Sequence, residues 1–148
     1  PEKTLHISRV CLLGKNGIST NFSNSETVVL HIEFETKKDI AAAQVAFELI
    51  NDRNEIILSS TNQDFTQKKD TIKKGRHVYE CPIELKMYRN GKYFIHVTSS
   101  VPNIEILDIL ETNLGFSVTD TISPIVGLGQ NRRGIIVPVL KWELDKNK

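Results

Sequence analysis

The chain has 148 residues, enough for one domain with a sizeable hydrophobic core and no need of staples. Its 19 lysines and arginines nearly balance 18 aspartates and glutamates, so no charge field points to nucleic acid or to an anionic bilayer. No apolar run reaches the roughly 20 residues of a spanning helix, and none stands at the start as an export signal would, so no direct membrane insertion is expected. Pro1 rather than methionine opens the chain, as in a piece cut from a longer protein.

Residues 5–13 read as a first strand whose alternation slips near Ser8 and Arg9, the mark of a bulge. Gly14-Lys15-Asn16-Gly17 is a turn. Asn21-Phe22-Ser23 matches a glycosylation sequon, but without an export signal it reads as chance. Residues 27–36 alternate cleanly: Val28, Leu30, Ile32 and Phe34 point one way, and Val29, His31, Glu33 and Glu35 the other. Val45, Phe47 and Leu49 repeat the pattern, Asn51-Asp52-Arg53-Asn54 makes a hairpin turn, and residues 56–61 return as a strand. Residues 62–76 form a long lysine-rich loop of the kind that often carries function. A strand follows over 77–87 with Tyr79, Cys81, Ile83 and Leu85 inward, then a turn at Arg89-Asn90-Gly91. In residues 92–101, Tyr93, Ile95 and Val97 face in, while Phe94, His96, Thr98 and Ser100 face out. Residues 102–113 suit a short helix or an irregular packed loop; residues 114–119 are a strand with Leu114, Phe116 and Val118 inward. Residues 121–133, with Pro124, Gly127 and Gly129, read as a linker.

The last segment is the most apolar run and holds the sole tryptophan. It reads as a strand over residues 135–142, with Ile135, Val137 and Val139 on one face and Ile136, Leu140 and Trp142 on the other. Both faces want cover, and Pro138 puts the strand at an edge or a bulge. Two readings follow: a last strand closing its own sheet, or one that packs on a second subunit. Seven or eight short strands with almost no helix describe an all-β sandwich. Its expected core is Leu30, Ile32, Phe34, Val45, Phe47, Leu49, Ile83, Tyr93, Ile95, Val97, Phe116 and Val118. Cys11 and Cys81 fall on strands, too few for a disulfide framework, and are expected as buried free thiols.

Catalytic chemistry finds no footing. His6, His31, His77 and His96 stand in no metal-ligand spacing. There is no Gly-x-Ser-x-Gly elbow and no Walker A loop, so nucleotide hydrolysis would belong to another domain. Gly127-Leu128-Gly129 lacks the rest of a dinucleotide fingerprint, and Glu33 and Glu35 read as solvated carboxylates. No catalytic residue, metal or cofactor is expected. What remains is a binding face: Phe94 can cover the C–H side of a sugar ring while His96, Thr98 and Ser100 meet its hydroxyls. The same residues also fit a partly exposed aromatic with polar neighbours, covered by residues 102–113. Asn62, Gln63, Asp64 and Phe65 form a second polar and aromatic cluster.

Several of these segments together resemble one family. They are Val10-Cys11-Leu12 before Gly17; Glu26-Thr27-Val28-Val29-Leu30-His31-Ile32; and the hairpin Asn51-Asp52-Arg53-Asn54, which lacks the family's glycine. Thr61-Asn62-Gln63 stands where the family has Thr-Asn-Thr, followed by Gly91-Lys92-Tyr93, Phe116-Ser117-Val118 and the closing run from Gly134 to Leu144. The chain resembles the C-terminal domain of the ATP-binding subunit of O-antigen polysaccharide ABC transporters, the Wzt type. The resemblance implies an immunoglobulin-like antiparallel sandwich that binds O-antigen polysaccharide in the cytoplasm, at the inner face of the inner membrane. It also implies a homodimer with exchanged C-terminal strands, an N-terminal ATP-binding domain and a transmembrane transporter subunit as partners. The expected layout is a sandwich over 1–120, a linker over 121–133 and a swapped strand over 134–148. The carbohydrate-binding residues would be Phe94, His96, Thr98 and Asn62, the last as the signature residue. The dimer interface would be Ile135, Ile136, Val137, Val139, Leu140 and Trp142. At roughly 3.3 Å per residue, the linker can span about 40 Å, enough to cross a subunit boundary. The competing reading is a structural dimerisation domain with no glycan contact.

Overall fold

The computed structural model describes residues 2–145. Ten strands follow in chain order: β1 (Leu5–Gly14), β2 (Gly17–Ile18), β3 (Asn21–Ser23), β4 (Thr27–Thr36), β5 (Gln44–Asn51), β6 (Ile56–Thr61), β7 (Gly75–Glu84), β8 (Gly91–Val101), β9 (Glu105–Ile109) and β10 (Leu114–Thr119). One short helix, α1 (Pro124–Leu128), comes after them. The first sheet has the order β2-β1-β4-β7, and the second β3-β10-β8-β5-β6. Long β8 is shared on one side: β10 pairs with its first half and β9 with its second. All pairings are antiparallel except β10 with β3, which is parallel.

Alternating apolar residues drive this arrangement, because each strand can bury one side and wet the other. Every residue expected in the core is buried. The slip read near Ser8 is a bulge between Ile7 and Arg9 on β1. At one end Tyr93 stacks on Phe116 with ring centroids 5.7 Å apart, and Tyr88 lies 5.5 Å from Tyr93. Burial pushes the Tyr88 phenol up to about 12.

The two flanks of the sandwich differ. On one, β9 is tied to β1 through Asp108, whose side chain is 2% exposed. Asp108 accepts from the Ile7 N–H at 2.7 Å, the Ile109 N–H at 2.9 Å and the Lys3 ammonium at 2.6 Å. Burial alone would raise its pKa; the bonds from Lys3 and the two N–H groups outweigh that and hold it below the ordinary carboxylate value. On the other flank, β6 and β7 gape around a cavity of about 670 Å³.

Three expectations need correction. Residues 102–113 contain neither a helix nor an irregular loop but β9, because β10 leaves the second half of β8 unpaired. Only Leu107 and Asp108 of β9 turn in. The linker contains α1, started by Ser123, whose Oγ accepts from the Ile125 N–H, and ended by Gly129 in the left-handed region at φ 65°. Cys11 is buried, but Cys81 is only half-buried because β7 is an edge strand on the open flank. Residues 135–142, read as a strand that closes its own sheet or packs on a second subunit, form no ladder strand within this chain. One bridge joins Ile136 to Tyr88, and Val137 N–H donates to the Met87 carbonyl at 2.7 Å. Pro138 offers no N–H to extend that pairing. Val137 is buried, whereas Trp142 is 91% exposed and Val139, Leu140 and Leu144 are also exposed. Residues 146–148 of the expected terminal strand, and Pro1, lie outside the described residues.

Candidate functional site

The outward residues of β8 sit at the middle of the second sheet. Register sets their neighbours: Phe94 lies opposite Ile50 on β5 and Gly115 on β10, His96 opposite Glu48, Thr98 opposite Ala46 and Ile109, and Ser100 opposite Gln44 and Ile106. Phe94, His96, Thr98 and Ser100 are all half-buried, as expected where strands flank them on both sides. The Phe94 ring lies over Gly115, where a methyl would meet it at 3.4 Å. The Lys92 ammonium sits 5.5 Å from the ring centroid, a cation–π distance. His96 Nδ1 is 2.7 Å from Asn113 Oδ1. An amide oxygen only accepts, so Nδ1 carries the proton and Nε2 of the neutral ring is left as an acceptor. Around these residues the face carries Gln44, Thr61, Ser117 and Asn113, all uncharged and polar, with Glu48 and Lys92 as its charged side chains on β5 and β8. Such a surface presents neutral donors and acceptors around an aromatic ring.

The outer face of the first sheet is built otherwise. His31 Nδ1 is 2.9 Å from Glu80 and Nε2 is 2.8 Å from Glu33. Arg9 pairs with Glu33 at 3.4 Å and Arg76 with Glu35 at 3.9 Å. The bonds to Glu80 and then Glu33 raise the His31 pKa above its ordinary value.

Asn62 does not join Phe94, His96 and Thr98. Its Oδ1 accepts from the Val45 N–H at 2.9 Å and its N–H donates to the Val45 carbonyl at 3.1 Å, which extends the β5–β6 ladder into the loop. Asp64 completes this turn, accepting from Ser60 Oγ at 2.7 Å and the Thr61 N–H at 3.0 Å, so its carboxyl is held below the ordinary value. Thr61-Asn62-Gln63-Asp64 is thus a structural turn at the mouth of the flank cavity. That cavity has a floor of Leu30, Ile32, Val45, Phe47 and Ile72, and a rim that includes Asp64, Asp70, Tyr79 and Glu80. Phe65, on the rim, is 99% exposed.

Gln44, Glu48 and Asn113 were missed in the sequence. The first two were legible as the outward half of the alternation on β5; Asn113 needed the register. No group of three or more His, Cys, Asp or Glu residues arranged to hold a metal occurs among the described residues, and none of their helices is long and apolar enough to cross a membrane.

The family model for the Wzt C-terminal domain matches residues 2–130. The chain belongs to the Wzt C-terminal domain family. A solved structure described as the C-terminal domain of Wzt superposes on this Wzt C-terminal domain with a TM-score of 0.75 at 8% identity, covering 97% of this chain and 86% of that one. A Pseudomonas fluorescens alkylpurine DNA glycosylase, AlkC, bound to DNA with an abasic site analogue, gives a TM-score of 0.53 at 12% identity over 78% of this chain and 30% of that one. At these identities the likeness is one of fold alone. No curated protein matches the sequence. The closing run from Gly134 lies beyond the residues matched by the Wzt C-terminal domain model.

Proposed function

We propose that this domain is a non-catalytic carbohydrate-binding module that recognises a lipid-linked O-antigen polysaccharide in the cytoplasm for export. Membership of the Wzt C-terminal domain family supports a role in the O-antigen ABC transporter. The observation that carries the glycan reading is the outer face of the second sheet, where Phe94 sits among uncharged amides and hydroxyls rather than among ion pairs. A pyranose offers an apolar C–H face and a ring of hydroxyls, and that pairing suits such a surface. Phe94 would stack on the ring; His96, through Nε2, and Thr98 would meet hydroxyls. Asn62 would act at a distance from them, by shaping the loop over the flank cavity. In the whole protein, an N-terminal ATP-binding domain and a transmembrane subunit would be the partners. Titrating the isolated domain with O-polysaccharides of known repeat tests the reading. One of them should bind saturably, and failure of all would leave the structural alternative standing.

That second reading, a dimerisation domain, is favoured by the exposed Val139, Leu140, Trp142 and Leu144. Contiguous apolar side chains of this kind mark interaction surfaces. Ile135, Ile136, Val137, Val139, Leu140 and Trp142 would pair with a second subunit in a homodimer. Sedimentation of a chain lacking residues 134–148 tests this. The truncated chain should be monomeric or insoluble, and a stable truncated dimer would put the interface elsewhere.

A further inference from the structure

The second sheet's outer face has an apolar border that glycan recognition in general does not require. β9 contributes it. Ile106 pairs with Ser100 and Ile109 with Thr98, so both isoleucines share the outward side of the β8 stripe. They are 68% and 44% exposed, next to hydroxyls and within the same sheet. The bulge between Ser99 and Ser100 turns Leu107 and Asp108 inward together, and this leaves both isoleucines outward. The charges on the stripe point the same way. Glu48 lies opposite His96 at its centre, and the cation of β8, Lys92, is drawn over the Phe94 ring. An acidic sugar at the centre of this stripe would meet the Glu48 carboxylate beside His96, and the one lysine of β8, Lys92, is engaged with the Phe94 ring at the stripe's other end.

We infer that the glycan seated on this face is uncharged and carries 6-deoxyhexose residues, whose C6 methyl groups pack on Ile106 and Ile109. This rests on the reading of the sheet as a glycan face. A hexose bearing a C6 hydroxyl in the same seat would set a polar group against isoleucine and lose its water. A methyl taken from water onto apolar side chains favours the deoxy sugar by about fourfold for each one seated. The rejection of the hydroxyl adds to this, though an apolar pocket discriminates only moderately against a single one.

The test uses D-rhamnose and D-mannose oligosaccharides of the same linkage and length, which differ only at C6, with an oligogalacturonate as the acidic probe. Titration calorimetry on the intact domain should give rhamnoside binding at least fourfold tighter than mannoside binding, and no binding of the galacturonate. Equal or tighter mannoside binding, or preferred galacturonate binding, would overturn the inference and leave the glycan face intact. Absence of binding by all three would overturn both together. The paired substitution Ile106→Ser with Ile109→Thr, at two solvent-facing positions, should remove the rhamnoside advantage while the mannoside affinity and the melting temperature hold. A rhamnoside advantage that survives the substitution would place the methyl groups elsewhere and sink the assignment. The single substitution Ile106→Ser should give an intermediate ratio, and no change in it would count against a seat on β9.

Discussion

The two outer faces of this sandwich are made from strands of the same kind, yet they solve the problem of facing water in opposite ways. On the first sheet, His31, Glu33, Glu80, Arg9, Glu35 and Arg76 satisfy one another across β1, β4 and β7. Its polar groups are largely spoken for. On the second sheet, amides and hydroxyls stand around Phe94, and few charges compete for them. A surface that neutralises itself has little left for a ligand. On the second face the His96–Asn113 and Thr61–Asp64 bonds use part of that capacity, and the side chains of Gln44, Thr98, Ser100 and Ser117 beside Phe94 are not tied into ion pairs. The contrast shows that exposure alone does not mark a binding face; what matters is whether the polar groups are already committed to each other.

The largest expected effect falls on both faces at once. Phe47 on β5 lies in the shared core, so Phe47→Ala should cost about 3–5 kcal/mol in a urea titration and weaken both faces through the common fold. A loss under about 1 kcal/mol would mean that β5 presents its other side to the core. Next comes the joint that carries β9 beside the second face. Asp108→Ala strips the Ile7 and Ile109 N–H groups of their shared acceptor, which should cost about 1–3 kcal/mol. It should also weaken glycan binding, because Ile106 and Ile109 lose their anchor. In the parent chain the Asp108 pKa is depressed, so its stabilising contribution is present above the unfolded carboxylate value of about 3.9 and is lost as pH falls through the folded value. Urea midpoints of parent and variant should therefore converge in acid.

Smaller still is the effect on the second face alone. Phe94→Ala with His96→Ala should weaken glycan binding by about tenfold or more, the scale of one lost stacking contact with its hydrogen bond, while the melting temperature shifts little. Unchanged affinity would remove that face from consideration. The smallest effect is on the first face. The His31 pKa is raised, so its contribution is full below the unfolded value of about 6.5 and fades as pH rises through the folded value. With Glu80 half-exposed and solvent screening the pair, this is worth less than about 1 kcal/mol. His31→Gln should flatten that alkaline fall in the urea midpoint and leave glycan affinity as it was. A change in affinity would couple the two faces.

The strands of the sandwich were legible because period-2 alternation survives burial: Val45, Phe47 and Leu49 point inward in sequence and in space alike. Even the bulge at Ser8 left its trace, as a slip in that alternation. β9 was not legible, because its apolar residues do not alternate; Leu107 and Asp108 both turn in across a bulge, and a buried aspartate hides the pattern. The terminal segment is a different case. Its β-branched run has strand propensity, but propensity needs an edge to pair with, and within the described residues this run finds only the bridge at Tyr88. As for the site, outward positions on one strand can be read from its period, so Phe94, His96 and Thr98 were placed on one stripe correctly. Which strands lie beside that stripe depends on register, and so Asn113 and the β9 isoleucines stayed hidden, while Glu48 was legible as an outward residue of β5 but not as the neighbour of His96. Asn62 stands apart from that stripe, and its bonds to Val45 were not legible because a side chain that caps a ladder and one that meets a ligand are written with the same letter.

Trp142 gives the molecule an optical peculiarity. The only indole in the chain stands in the exposed tail, outside the sandwich. Its emission therefore monitors the tail and is nearly blind to the melting of the core, which must be followed by circular dichroism or by the buried tyrosines. Whatever comes to cover the tail, a second copy of the chain included, should announce itself as a blue shift and as protection from a dissolved quencher. The same signal, recorded while glycan is added, would reveal whether filling the sheet face is felt at the far end of the chain.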